Sequence, residues 1–221
     1  MTGLADWAGV PRPERKVLEG QYVWLEPFDA DKHTAELFAA SSGAGTEDRF
    51  RYLFEEAPAD LAEMAAWGAK AAQSTDPLFF AVIDKKTGRV AGRQTLMRID
   101  TTHGVIEIGH IYWGPAIART QAATEALFLF ADYCFGLGYR RFEWKCNDQN
   151  EPSKRAAARF GFTYEGRFRQ HMVTKGANRD TAWFAIIDQD WPRLRAAYQH
   201  WLEPANFDET GQQRSRLATG A

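Results

Sequence analysis

The sequence predicts one α/β domain in which about seven strands form a sheet flanked by helices. Three observations carry that expectation. Apolar runs with the period of a strand alternate with stripes of helical period, in the order strand, two helices, three strands, helix, strand, helix, two strands and a closing helix. Gly, Pro and Asp punctuate the junctions. A hydrophobic content of 45%, with eight Trp and fifteen Phe among 221 residues, supplies a substantial core and excludes a chain disordered over most of its length.

Residues 1–20, rich in Pro and charge, read as a loose arm, with the folded domain expected over 21–191. "YVWLEPF" (22–28) alternates like a strand, and Asp29 and Asp31 are placed to cap a helix running to about Ala40. Residues 41–60 read as a flexible connection carrying an aromatic cluster, Phe50, Tyr52 and Phe54; a helix follows over about 60–73. "PLFFAVIDKKTGRVAGRQTLMRID" has the form of a hairpin in which Gly88 takes the left-handed turn position. A strand over about 104–113 leads into "GPAIARTQAATEAL". There Ala123, Leu127, Phe130, Cys134 and Leu137 recur at helical spacing, and Gly136 and Gly138 stop the helix. "YRRFEWKC" is a strand. "NEPSKRAAARFGF" is a short capped helix with Pro152 in its first turn and Gly161 at its end. A hairpin over about 163–173 and 181–188 precedes a last helix from about 191 to 201. That leaves 192–206 packed on the domain and 207–221 as a disordered tail.

The 27 basic and 29 acidic residues nearly cancel, so a non-specific nucleic-acid footprint is not expected, and scattered Arg in "YRRF" and "SKRAAAR" reads as solvent-facing. No apolar run is long enough to span a membrane and the start lacks an apolar signal segment, from which a cytoplasmic location is expected. Cys134 and Cys146 have no metal-site spacing and read as buried free thiols.

"IEIGHIYWGP", then "AATEAL", then "NEPSKRAAARFGFTYEGRFRQHM" resemble the GCN-type N-acetyltransferase (GNAT) superfamily, most closely the branch of the ribosomal-protein N-terminal acetyltransferases. The resemblance covers roughly 22–191 and is carried by the order and spacing of "TEA", "N..S" and "GF.YEG". It implies a mixed, mostly antiparallel sheet in which two splayed parallel strands, ending near Trp113 and Cys146, form a cleft for acetyl-CoA. It also implies transfer of the acetyl group to an amine acceptor by direct attack in a ternary complex, with Ile111 or Trp113 supplying a strand amide for the oxyanion and no metal required. The alternative is a non-catalytic acyl-CoA-binding regulatory module of the same fold. Self-association through the C-terminal hairpin and helix is a further expectation.

In such a fold the pyrophosphate meets the start of the helix after Gly114, where unpaired N–H groups and a partial positive charge suit an anion. Arg119, Thr120, Gln121, Ala122, Ala123 and Thr124 occupy that turn, but only Ala123 matches the family's Gly or Ala; Gln121 stands where Gly is usual. Asn150 and Ser153 fall at positions near the thioester and pantetheine, Ser153 as donor to the departing thiolate; both types also serve simply as helix caps. The general-acid Tyr of many relatives is replaced by Ala157. Glu107 matches a recurrent acidic position and, by strand parity, shares a mostly apolar face with Val105, Gly109, Ile111 and Trp113. It is either a general base with a raised pKa or a salt-bridged residue. His110 falls on the opposite face as structural residue or pocket wall, and His171 is a weaker candidate. Phe50, Tyr52 and Phe54 are either core or an acceptor pocket rimmed by Glu55 and Glu56.

Overall fold

The computed structural model describes residues 3–220. Eight strands form one sheet: β1 (Leu18–Glu19), β2 (Val23–Pro27), β3 (Leu78–Asp84), β4 (Arg89–Asp100), β5 (Val105–Trp113), β6 (Arg141–Asn147), β7 (Thr163–Thr174) and β8 (Ala177–Ile187), in the order β1-β2-β3-β4-β5-β6-β8-β7. Every neighbouring pair is antiparallel except β5 and β6. The strand beyond the expected seven is β1, two residues at the sheet edge, too short to show a period.

The helices are α1 (Ala30–Ser41), α2 (Thr46–Phe50), α3 (Leu61–Gln73), α4 (Gln121–Gly136), α5 (Glu151–Arg159) and α6 (Trp191–Trp201). Asp29 caps α1 by accepting from the Lys32 N–H. At α3 the Asp60 side chain accepts from the Glu63 N–H while Glu63 accepts from the Ala59 N–H, a reciprocal arrangement that satisfies two otherwise orphaned donors. Gly88 and Gly161 take φ of 69° and 86°, the left-handed values their turns require.

Two cores lie on opposite faces of the sheet. α4, α5 and α6 cover one face, where Phe80, Ile106, Ile108, Leu127, Phe130 and Phe142 meet. α1 and α3 cover only the β2–β4 part of the other face, with Phe28, Leu37, Met64 and Phe79. β3 feeds both cores, Phe80 and Val82 to one and Phe79, Ala81 and Ile83 to the other, which is why "LFFAVI" is apolar throughout instead of alternating. On the β5 part of the second face the short α2 packs Phe50 against Tyr112.

Glu125, in the "TEA" motif of α4, is buried and fastens this layer. Its carboxylate accepts from the backbone N–H groups of Gln21, Tyr22 and Val23 at 2.7, 2.6 and 2.9 Å, holding the start of β2 against the helix.

Three segments differ from their sequence reading. The 41–60 connection contains α2 and is tied to the sheet by an ion pair between buried Arg93 and partly buried Glu55. The tail expected over 207–221, of which Ala221 lies outside the described residues, is not loose over 207–220: Phe207 bridges to Gln213, Leu217 and Thr219 are buried, and the Thr219 hydroxyl donates to the Arg159 carbonyl at 3.2 Å. The first twenty residues include an extended strap, with Trp7 Nε1 donating to the Thr102 carbonyl at 2.7 Å and Val10 N to the Thr101 carbonyl at 2.9 Å. In each case the anchors are backbone groups and a few isolated side chains, which leave no periodic pattern. No helix among the described residues is long and apolar enough to cross a membrane. Both cysteines are buried and free.

Candidate active site

β5 and β6 pair only from Val105↔Arg141 to Ile108↔Trp144. Beyond that point β5 continues beside β4 and β6 continues beside β8, so the sheet opens. A cavity of about 130 Å³ occupies the opening, with Trp144, Cys146 and Ser153 on one side and Glu107, His110 and Arg179 on the other.

A bulge in β5 decides which side chains face which way. Thr95 pairs with Gly109 and Arg93 with Tyr112, so one residue of β4 opposes two of β5, and His110 has a φ of 46°. Parity reverses there. Ile111 and Trp113 join the α4/α5 core, Trp113 meeting Phe160 edge-on at 5.9 Å. His110 packs between Phe54 and Phe79, and Tyr112 stacks near Phe50 and donates to the Ala40 carbonyl, both on the α1/α3 side. Glu107 therefore does not share a face with Ile111 and Trp113, and His110 lines the same cavity as Glu107. A simple period-two count cannot see the inserted residue.

The surroundings of Glu107 also differ from expectation. It is 4% exposed, and its Oε2 lies 2.9 Å from Lys145 Nζ and 3.0 Å from Arg98 Nη1. Lys145 bonds Glu143 at 2.6 Å and lies 3.8 Å from the Trp183 ring centroid. The expected apolar face is occupied by charged cross-strand neighbours. His110 is the group that burial does perturb: desolvation, reinforced by the nearby Arg93 charge, lowers its pKa to about 4, leaving the imidazole neutral at neutral pH. Its Nδ1 has no hydrogen-bond partner and lies 3.5 Å from Glu55. Arg93, 2% exposed, donates to the His110 carbonyl at 2.9 Å and stacks 4.6 Å from the Trp67 ring centroid; burial lowers its pKa to about 9. His171 bonds Thr181 through Nδ1 at 2.9 Å, and burial with the neighbouring cations lowers its pKa.

The cofactor residues named from sequence divide in two. Ile111, Asn150 and Ser153 line the cavity; Trp113 and the Arg119–Thr124 turn lie outside its lining, where β5 leads into α4. Thr120 is the N-cap of α4, accepting from the Ala122 N–H at 3.2 Å, and Arg119 is exposed with φ of 66°. Gln121 is partly exposed while Ala122, Ala123 and Thr124 are buried. Arg159 donates to the Thr124 hydroxyl at 3.2 Å, bringing a cation to this helix start. Asn150 caps α5 by accepting from the Ser153 N–H at 3.1 Å. The Ser153 hydroxyl accepts from Trp144 Nε1 at 3.0 Å, which leaves its proton to donate. Ala157 is fully buried, with no hydroxyl at that position.

Residues 49–56 cover the cavity. Arg49 donates to the Trp113 carbonyl at 3.3 Å, Tyr52 to the Gln149 carbonyl at 3.2 Å, and Lys175 to the Phe50 carbonyl and Glu56 at 3.0 and 2.9 Å. Phe50 is core, whereas Tyr52 and Phe54 line the cavity. Lys145, Arg98, Arg93 and Arg179 were missed in sequence; for Arg93 and Lys145 the available signal was a cation at an inward position of a largely apolar strand.

An open mixed sheet whose one parallel pair parts midway, next to the start of a helix laid against the sheet, defines the acyl-CoA-dependent acetyltransferase class of fold. The chain belongs to the GNAT acetyltransferase family: residues 23–163 match the acetyltransferase (GNAT) domain. It is similar to a GCN5-related N-acetyltransferase from Brucella melitensis, with 62% identity and a TM-score of 0.96 over 97% of each chain. A probable GNAT-family acetyltransferase from Chromobacterium violaceum is 37% identical, with a TM-score of 0.80 over 87% of this chain and 96% of its own. The uncharacterized N-acetyltransferase p20 of Bacillus licheniformis is 30% identical over 117 residues, which are 51% of this chain; the chain spans 63% of the length of that relative.

Proposed function

We propose that the protein is an acetyl-CoA-dependent N-acetyltransferase that transfers the acetyl group to a primary amine within a ternary complex. The observation that carries this reading is the parted β5–β6 pair, whose cavity is lined from both faces of the sheet. The α4 start fits an anion: it is a helix N-terminus whose first turn carries the small residues Ala122 and Ala123 and no acidic side chain. The Gln121 and Ala123 N–H groups hold the pyrophosphate, the Ala122 N–H being taken by the Thr120 side chain, with Arg119 and Arg159 adding charge. Ile111 and Trp113 flank the pantetheine arm, Thr124 supports the turn through Arg159, and Asn150 fixes α5 so that Ser153 faces the thioester.

Bound acetyl-CoA supplies an activated acetyl thioester. The chain's own residues orient the amine and manage its protons. A primary alkyl amine is protonated at neutral pH, so it must lose a proton before its lone pair can attack. Glu107, fixed by Lys145 and Arg98, receives that proton through water. A β5 backbone amide steadies the developing oxyanion, and the Ser153 hydroxyl donates toward the leaving sulfur. The 49–56 cover keeps bulk water from the reacting centre.

Ala157, where many relatives carry an acidic Tyr, supports a second reading, a non-catalytic acyl-CoA-binding module. Thiol release from acetyl-CoA in the presence of a diverse amine panel separates the two. Amine-dependent release with N-acetyl product supports the enzyme; binding of acetyl-CoA without any turnover supports the module.

A further inference from the structure

Two arginines are buried among the described residues, Arg93 and Arg179. Arg93 is paired with Glu55. The side chain of Arg179, a residue 6% exposed, forms no ion pair or hydrogen bond with any described residue, and its Nε is enclosed without a partner. A buried charge without a counter-charge is costly, and burial indeed lowers the Arg179 pKa. Its guanidinium lies 4.9 Å from the Phe54 ring centroid, under the cover and on the sheet face opposite α4. Around the same cavity Arg49, Arg98 and Lys145 are further cations, and the one carboxylate of the lining, Glu107, forms its ion pairs with Arg98 and Lys145 and not with Arg179.

Taking the N-acetyltransferase reading as its basis, we infer that the acceptor amine carries an anionic group, a carboxylate, which Arg179 binds while the amine faces Glu107 and the opening between β5 and β6. The planar guanidinium fork matches a carboxylate through two parallel hydrogen bonds, and it is stacked in advance on Phe54. The substrate class is thus the small amino acids and related amino carboxylates. An amino phosphonate offers the same anion chemistry from a second source.

The test compares α-, β- and γ-amino acids with the carboxamide of each and with aminoalkylphosphonates of equal length. Rates are corrected for the unprotonated fraction of each amine. In the wild type kcat/KM for the best acid exceeds that for its carboxamide by about 10²-fold, the size expected when a buried charged hydrogen-bond partner is kept or lost. In Arg179→Met that ratio falls toward one, and Arg179→Lys retains part of it. A phosphonate preferred over the carboxylate keeps the anionic class and replaces the source. Wild-type preference for carboxamides overturns the inference, as does an Arg179→Met variant that loses acid and carboxamide turnover equally or loses acetyl-CoA affinity by the same factor. If Arg179→Met does not fold, the wild-type ratio alone decides. Turnover of neutral amines only overturns this inference and leaves the enzyme reading standing; no turnover of any amine overturns both.

Discussion

Replacing Glu125 by Gln tests the link between the "TEA" motif and the sheet edge. In the wild type Oε1 accepts from Gln21 and Oε2 from Tyr22 and Val23. A Gln side chain keeps the size, and its oxygen can serve the Tyr22 and Val23 pair, but its NH₂ then meets the Gln21 N–H, donor against donor. One orphaned buried donor costs about 1–3 kcal/mol, and the two remaining bonds lose their charge assistance, roughly another 1–2 kcal/mol. Removing a buried charge offsets part of this, since desolvation raises the Glu125 pKa above its ordinary value. The expected net loss is about 2 kcal/mol, or roughly 4–8 °C in Tm for a chain of this size. The folded state binds the Glu125 proton more tightly than the unfolded chain. Its ionisation contribution is therefore fully present below the unfolded value of 4.5 and is lost as pH rises through the raised value, so the gap to the variant is wider near pH 4 than near pH 8. Thermal and urea unfolding measure the global loss, and amide hydrogen exchange at 21–23 measures the local one. A loss under about 0.5 kcal/mol with unchanged protection at those amides would refute the anchoring role.

His110 gives a second pH signature of opposite sense. Its depressed pKa of about 4 makes its contribution present above the unfolded 6.5 and lost as pH falls to 4, about 3 kcal/mol in all, and His110→Asn, whose side chain tolerates the positive φ, should flatten that loss in urea titrations. Glu107→Gln should lower the rate with a high-pKa amine about 10²-fold while acetyl-CoA affinity holds, and raising the pH should restore part of it; a wild-type rate at neutral pH removes Glu107 from proton transfer. Ala123→Leu places bulk in a buried position of the first turn of α4, and calorimetry should show acetyl-CoA binding weakened about tenfold or more. Unchanged affinity in a folded variant would mean that this turn does not hold the phosphates.

Much of the architecture was readable because the strongest signals are periodic. The stripe of Ala123, Leu127, Phe130 and Cys134 is the buried face of α4, and Gly88 and Gly161 stop their elements at left-handed positions. Order and spacing of the motifs identified the family. The site was less legible, for physical reasons that differ by residue. His110 was assigned to the wrong face because a bulge adds a residue without altering local composition. Glu107 was given an apolar environment because Lys145 and Arg98 reach it from other strands, and sequence does not show cross-strand register. Arg179 drew no reading from sequence; only the folded chain shows that its buried Nε has no partner. The packed 207–220 segment eluded the reading because backbone and hydroxyl contacts, not an apolar pattern, hold it.

The inserted residue at His110 also makes β5 a strand with two reading frames. Before it, odd positions such as Glu107 look toward the Arg179 chamber; after it, even positions do, and Ile111 and Trp113 look toward α5. A single continuous strand can therefore diverge at one set of positions without disturbing the other. Variation at 107, 110 and 112 alters the sheet face that carries Arg179, and variation at 111 and 113 the face covered by α4 and α5, so the two faces can drift separately through one element. A deletion at the bulge would rephase the outer end of β5 and exchange the surfaces that Ile111, Tyr112 and Trp113 present, which makes the length of this strand a tighter constraint than the identity of most of its residues.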